Sequence, residues 1–300
     1  MKKILITGSN GLLGQKLAEL LLPRQEVAVL ATSRGENKMA DRLPTLPFRS
    51  MDVTRPEEIE QVLSEFRPTH LIHTAAMTNV DQCESDHNGA LLLNRDAVGY
   101  LVAACEKYNV HLLHVSTDFI FDGADGPYGE AAAGNPVNFY GKTKLQAEEL
   151  VKQATCKWTI LRTVLVYGVA HDYGRTNIVL WVRDSLRAGK VIKVVNDQFR
   201  TPTLAEDLAM GCWLAVEKEA EGIFHISGSE MMTPYEMALQ VADFFALDKS
   251  LIDKADSSTF SQPARRPLRT GFDIRKAETL LGYRPHSFRQ GIRIVAEQAE

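Results

Sequence analysis

The segment Ile4-Leu-Ile-Thr-Gly-Ser-Asn-Gly-Leu-Leu-Gly14 leaves few folds open to this chain. A short apolar run, enough for one strand, stops at Gly8. Leu12, Leu13, Leu17, Leu20 and Leu21 then recur at helical spacing. Glycine at a strand-to-helix turn reaches backbone angles closed to other residues and lets a pyrophosphate approach the main chain. The free N–H groups and dipole of the following helix favour the anionic phosphates. The spacing is G-x-x-G-x-x-G, one residue longer between the first two glycines than the common dinucleotide fingerprint. Gly8, Gly11 and Gly14, with Asn10, Leu12 and Leu13 between them, form the candidate phosphate-binding turn.

Downstream, short β-branched or leucine-rich runs alternate with helical patterns. This predicts an α/β fold with a Rossmann-type, doubly wound parallel sheet. Strands are expected over residues 4–7, 27–32, 48–52, 70–75, 111–116 and 159–166. Thr54-Arg-Pro-Glu57 reads as a capping box opening a helix through Phe66, and Thr233-Pro-Tyr-Glu236 repeats the pattern. After Gly168 the rhythm changes. Residues 197–203 form a polar loop, and residues 257–270, rich in Ser, Pro and Arg, form a loop before the closing helices. The expected division is a dinucleotide-binding domain of residues 1–168 plus 203–228 and a smaller substrate-binding lobe of residues 169–202 plus 229–300.

The formal charge of −4 gives no reason to expect nucleic acid or an anionic membrane as partner. Cys83, Cys105, Cys156 and Cys212 are scattered without a C-x-x-C pair, which fits reduced thiols and predicts neither a disulfide framework nor a metal site. No apolar stretch approaches membrane-spanning length, and Met1-Lys-Lys3 runs straight into the first strand, so the cytoplasm is the expected location.

NAD-binding proteins place an acid about 20 residues past the glycines, to hold the ribose 2′-hydroxyl. Here Ser33 and Arg34 occupy that region, and a guanidinium pairs with a 2′-phosphate, so NADPH is favoured over NADH. Glu36 nearby keeps NADH open. Tyr140 and Lys144 stand four apart in Tyr-Gly-Lys-Thr-Lys, on one face of an expected helix. A neighbouring ammonium favours the phenolate and turns tyrosine into a usable acid/base. Val115-Ser-Thr-Asp118 ends a predicted strand at the edge where open α/β sheets bind ligands. Thr117 there can hold a substrate oxygen, whereas strand alternation turns Ser116 the other way.

Together these residues resemble the extended short-chain dehydrogenase/reductase superfamily and, within it, the dTDP-4-dehydrorhamnose reductase family. The similarity runs through Ile6-Thr-Gly-Ser-Asn-Gly-Leu-Leu-Gly14, Ala75-Ala76 with Thr78 and Val80-Asp81, and Ser116-Thr-Asp-Phe-Ile-Phe-Asp-Gly123. It continues through Tyr140 to Lys144, Leu161-Arg-Thr163, Val166-Tyr-Gly168, Asp197-Gln-Phe199 and Pro202-Thr203. The resemblance implies an enzyme that reduces the 4-keto group of a nucleotide-linked 6-deoxy sugar with NADPH, dTDP-4-dehydro-L-rhamnose giving dTDP-L-rhamnose. It implies a Thr117, Tyr140 and Lys144 catalytic set, Asp52 and Val53 around the adenine, and Ala75 and Ala76 along the cofactor. Thr78, Val80, Thr117, Asp118, Phe119 and Leu165 would face the sugar, and Asn94 matches a structural asparagine. A homodimer is compatible with the family.

Three positions depart from the family pattern. Phe119 stands where tyrosine is usual, Leu165 where tryptophan is usual, and Arg200 where glycine is usual. A lost hydroxyl contact and a lost stacking contact would each be worth on the order of 1 kcal/mol, enough to retune specificity towards another sugar nucleotide. Dehydratases of the same fold place a glutamate after the Thr-Asp, and Phe119 cannot serve there. The alternative from another class is a non-catalytic NADP-binding regulatory subunit similar to that of methionine adenosyltransferase, whose family carries a related aliphatic run at Leu165.

Overall fold

Ile4, Leu5 and Ile6 lie in the first strand, β1 (Lys2–Thr7), and none of the three has exposed surface. Ile4 and Ile6 join the apolar core on one face of a sheet and Leu5 joins the core on the other, which is why the strand shows no polar alternation. The computed structural model describes residues 1–171 and 177–299. Residues 172–176 and 300 of the expected substrate lobe lie outside them. Further strands are β2 (Val27–Ser33), β3 (Phe48–Ser50), β4 (His70–His73), β5 (His111–Thr117) and β6 (Trp158–Thr163). Then come β7 (Val166–Tyr167), β8 (Ile192–Val195), β9 (Thr203–Leu204), β10 (Gly222–His225) and β11 (Ile252–Ala255). Seven of these form one parallel sheet in the order β10-β6-β5-β4-β1-β2-β3, while β8 pairs with β11 and β7 with β9. Strand order reverses between β1 and β4, and a ligand crevice opens at such a switch point.

Helices α1 (Leu12–Leu21), α2 (Pro56–Phe66), α3 (Val80–Ser85), α4 (His87–Leu91), α5 (Ala97–Tyr108) and α6 (Phe139–Lys152) belong to the first half of the chain. Helices α7 (Ile178–Arg187), α8 (Ala205–Glu217), α9 (Pro234–Phe244), α10 (Arg275–Leu280) and α11 (Phe288–Gln298) follow. Leu17 and Leu21 of α1 share one core with Leu208 and Trp213 of α8. Ile59 of α2, Leu101 of α5 and Val151 of α6 share the core on the opposite face. A third core joins Val182 of α7, Val241 of α9 and Ile292 of α11 to β8 and β11. Among the described residues no helix is long and apolar enough to cross a membrane.

Several boundaries differ from expectation. The strand expected over 159–166 ends at Thr163, because Leu165 takes a left-handed backbone (φ 38°) that turns the chain out of the sheet; Val166–Tyr167 then pairs with β9 instead. The strands expected over 48–52 and 70–75 stop at Ser50 and His73, where the chain leaves the sheet at its carboxyl edge. Strand β10, four residues at the sheet edge, carries too short a pattern to be read in advance. The capping box expected at Thr54 is absent. The Thr54 hydroxyl donates to Asp52 Oδ1 (2.7 Å), and α2 starts at Pro56 without a side-chain cap. The box at Thr233 and Glu236 forms in both directions.

Helix α6 is pinned to β6 by an ion pair inside the molecule. Arg162 Nε and Nη2 donate to Glu148 Oε1 and Oε2 at 2.9 and 2.7 Å, with the side chains 2% and 0% exposed. Removing one partner leaves an uncompensated buried charge, typically at a cost of about 3–5 kcal/mol. Glu148→Ala is therefore expected to lower the urea midpoint by that free energy at constant m, and Glu148→Ala with Arg162→Met to recover most of it. Urea unfolding of the two variants checks both.

Candidate active site

A cavity of about 1120 Å³ runs along the carboxyl edge of the sheet from the glycine turn to α6. Gly8, with φ 71°, begins it; a Cβ there would fall 2.7 Å from Ala75 N, so only glycine lets β1 and the β4 exit approach this closely. Gly11 caps α1 through its backbone, with no side-chain cap and no acid in the first turn. The first N–H groups of α1 lack intrahelical acceptors and stand at the cavity wall that Gly11, Leu12 and Leu13 line. An uncapped helix start beside a glycine cradle fits a dinucleotide pyrophosphate. Ser33, Arg34, Asp52 and Val53 line the same end, as Ala75 and Ala76 line its middle. Burial pushes the Asp52 carboxyl up, but hydrogen bonds from Thr54 and the charges of Arg34 and Arg55 outweigh it and leave the group low.

Two residues of the expected turn stand back from this cavity. Asn10 Nδ2 donates to Glu36 O (2.8 Å) and its Oδ1 accepts from Lys38 N (3.0 Å), so it braces the loop after β2 and borders a smaller recess of about 540 Å³ next to Arg34. Gly14 serves packing, since a Cβ there would lie 2.4 Å from Gly8 O.

At the far end α6 presents Tyr140 and Lys144, both buried. Asn138 caps the helix, accepting from Gly141 N (2.8 Å) and donating to Arg265 O (2.8 Å). Lys144 Nζ donates to Val115 O (2.7 Å) and lies 3.1 Å from His114 Nε2. Burial, aided by the Lys144 charge, holds His114 well below the usual imidazole range, so its neutral ring accepts from the ammonium. His73 stacks behind it at 5.5 Å. Burial also pulls Lys144 down to about 8, with the Glu148 charge opposing the fall.

The expected lowering of Tyr140 by Lys144 is not what this arrangement produces. Desolvation drives the phenol upward, opposed by a hydrogen bond with Thr117, and the ammonium is directed to Val115 and His114. Thr117 Oγ1 donates to Asp118 Oδ1 (3.1 Å) and accepts from Phe119 N (3.2 Å); to bond a ligand oxygen, that hydroxyl proton has to turn away from Asp118. Ser116 Oγ is buried with no hydrogen-bond partner. Asp118 also accepts from the Thr270 hydroxyl, with Arg200 Nε 3.7 Å away; burial nevertheless raises its carboxyl.

Thr78, Val80, Asp118, Phe119 and Leu165 all border the cavity. Phe119 meets the Tyr140 ring edge-on at 6.0 Å. Leu165 is 41% exposed. Arg200 has a structural use for the position where glycine was expected: Nη1 donates to Phe199 O (2.8 Å) and Leu268 O (3.1 Å), and Nη2 to Pro267 O (2.6 Å). Asn94 clasps Met77, accepting from its N at 2.8 Å and donating to its O at 3.1 Å, and also donates to Thr143 Oγ1 (3.2 Å). Sequence reasoning missed His114 and Arg266. His114 had a signal in the H-x-x-H run of β5, repeated in β4. Arg266 pairs with Asp81 at 2.8 Å and draws the proline-rich tail to the cavity rim, a contact between residues too far apart to be read locally.

The parallel sheet, the crevice at its switch point and the Tyr140/Lys144 pair on α6 define a Rossmann-type protein of the extended short-chain dehydrogenase/reductase kind. A profile described as the RmlD substrate binding domain matches residues 1–300, and the chain belongs to that family. It is 30% identical to the dTDP-4-dehydrorhamnose reductase of Aggregatibacter actinomycetemcomitans, covering all of both chains. It is also 30% identical to methionine adenosyltransferase 2 subunit beta of Bos taurus, over 97% of this chain and 86% of that one. Among solved structures, the dTDP-4-dehydrorhamnose reductase of Bacillus anthracis in complex with NADP superposes with a TM-score of 0.86 at 27% identity, covering 99% of each chain.

Lys144 yields a pH prediction independent of any activity. Its folded value near 8 lies below the ordinary lysine value of 10.5, so between those pH values the unfolded chain binds a proton that the folded chain lacks. The contribution of Lys144 to stability is therefore expected to rise as pH climbs from about 8 to 10.5. Denaturation of the protein and of Lys144→Met across that window measures it, and a difference that stays flat contradicts the depressed value.

Proposed function

We propose that the protein is an NADPH-dependent reductase of the 4-keto group of a nucleotide-linked 6-deoxy sugar, with dTDP-4-dehydro-L-rhamnose, reduced to dTDP-L-rhamnose, as its substrate. One observation carries this reading: the glycine turn and the Thr117, Tyr140 and Lys144 group lie at the two ends of one continuous cavity. A nicotinamide dinucleotide held along Gly8, Gly11 and the start of α1 would supply the hydride. The chain's own groups handle the oxygen. Thr117, turned from Asp118, donates a hydrogen bond to the keto oxygen. Tyr140, kept protonated by its burial, gives its proton to that oxygen as negative charge develops. Lys144 balances the phenolate left behind and holds the nicotinamide ribose. Thr78, Val80, Phe119 and Leu165 bound the sugar side, and a less polar, less aromatic wall there suits a related sugar nucleotide as well. The four cysteines are unpaired and buried, which suits work in the cytoplasm.

A second reading, a non-catalytic nucleotide-binding subunit of another enzyme, is favoured by the likeness to methionine adenosyltransferase 2 subunit beta. Offering a panel of nucleotide 4-keto-6-deoxy sugars with NADPH and with NADH, and following cofactor oxidation, separates the two. Oxidation with one of the sugars supports the reductase; firm NADPH binding without oxidation on any of them moves the assignment to the subunit.

Tyr140→Phe is expected to lower turnover by roughly 10²-fold or more while leaving NADPH binding nearly intact, as read by steady-state kinetics and cofactor fluorescence. Near-normal turnover would remove Tyr140 from its role. Arg34→Ala is expected to weaken NADPH far more than NADH, because only the former carries the 2′-phosphate. Kd values for both cofactors decide it, and an equal loss would mean that Arg34 does not read the phosphate.

A further inference from the structure

His70 and His111 open the neighbouring strands β4 and β5 at the amino-terminal edge of the sheet, the edge away from the cavity. They face each other in register, with ring centroids 5.3 Å apart. Glu219, in the turn between α8 and β10, reaches both: Oε1 lies 3.1 Å from His70 Nε2, and Oε2 lies 3.7 Å from His111 Nδ1. From this arrangement we infer that His70, His111 and Glu219 form a binding site for a zinc-class divalent cation.

The argument rests on where the protons sit. His111 Nε2 lies 2.8 Å from Thr159 Oγ1, and the single proton of that hydroxyl is donated to Ala220 O. His111 must therefore be the donor to Thr159, with its N–H at Nε2 and a bare lone pair at Nδ1. For His70 the tautomer follows from the Thr69 hydroxyl being turned to Lys3 O. Thr69 Oγ1 accepts from Lys3 N (3.0 Å), donates to Lys3 O (3.1 Å), and lies 2.9 Å from His70 Nδ1. His70 Nδ1 then carries the N–H, and Nε2 is bare. Both bare nitrogens are buried and make no hydrogen bond. Two lone pairs thus face a carboxylate, and all three ligand atoms lie within 4.8 Å of one another. Lone pairs against anionic oxygens repel unless a cation lies between them.

Lys2 pairs with Glu219 Oε1 and balances its charge, but its ammonium bonds the carboxylate and leaves both imidazole nitrogens unmatched. Two neutral imidazoles and one carboxylate are a zinc donor set, with bond lengths of about 2.0–2.2 Å, whereas magnesium and calcium prefer oxygen alone. The far nitrogen of each imidazole is held by a threonine hydroxyl, the outer-shell bond that orients a metal-binding histidine. Glu219 is 44% exposed, which leaves a solvent side for water as the fourth ligand. A cation here would tie β4, β5 and the α8–β10 turn together and stabilise the fold from the edge opposite the cavity.

The test uses the full, untagged chain stripped with chelator and titrated with zinc sulfate. Calorimetry is expected to give one Zn2+ per chain, and the melting temperature is expected to rise with it. Glu219→Gln removes a ligand at an exposed position, and Thr159→Val keeps all three ligands but frees the His111 ring; each is expected to weaken binding by about ten-fold or more. Equal affinity in the protein and in Glu219→Gln overturns the site, as does the absence of binding to the unaltered chain. Long-range 1H–15N correlation of the metal-free protein gives a readout that no folding defect can blur. Nδ1–H on His70 and Nε2–H on His111 support the inference, and the opposite tautomer on either ring overturns it.

Discussion

Glu148 and Arg162 occupy a place from which water is excluded, and their two parallel hydrogen bonds are what allow two full charges to remain there. The consequence reaches beyond stability, because Glu148 lies one turn beyond Lys144 and two beyond Tyr140 on the same helix. Fixing that carboxylate against β6 fixes the rotation of α6, and with it the direction in which the tyrosine and lysine project. The helix start is held as tightly, since a Cβ on Gly141 would lie 2.0 Å from Phe119 O. The same Glu148 charge limits how far burial lowers Lys144. One ion pair therefore positions Tyr140 and Lys144 and tempers the electrostatics of the lysine.

Burial governs the rest of the site. A phenol and an ammonium one helical turn apart would, in water, be expected to ease the phenol towards its anion. Here both are enclosed, and desolvation moves them in opposite directions: the phenol up, the ammonium down to about 8. Each shift favours the neutral form. Tyr140 thereby stays a neutral phenol, while Lys144, whose fall the Glu148 charge opposes, donates to Val115 O and to the neutral ring of His114.

The three departures from the family pattern have different structural weights. Arg200 is built into the scaffold, bonding tail carbonyls at 267 and 268 beside buried Asp118. Phe119 keeps the aromatic contact with Tyr140. Leu165 sits partly exposed at the cavity rim on a left-handed backbone, less enclosed by protein than either of the others. Of the three, Leu165 is therefore the one whose side chain the scaffold constrains least.

Local patterns in the amino-acid sequence determined the glycine turn, the alternation of strands and helices, the Tyr140/Lys144 face of α6 and the threonine ending β5, because each is written within a few neighbouring residues. The same patterns placed strand ends too late at Ser50, His73 and Thr163, since propensity does not register where a chain must leave the sheet to border a crevice. Only the tertiary structure decided the partners that lie far apart in the chain. Arg266 meets Asp81, Thr270 meets Asp118, His114 meets Lys144, and Glu219 joins His70 and His111. These contacts turn on burial and on the direction of individual lone pairs and protons, and those are set when the strands come into register.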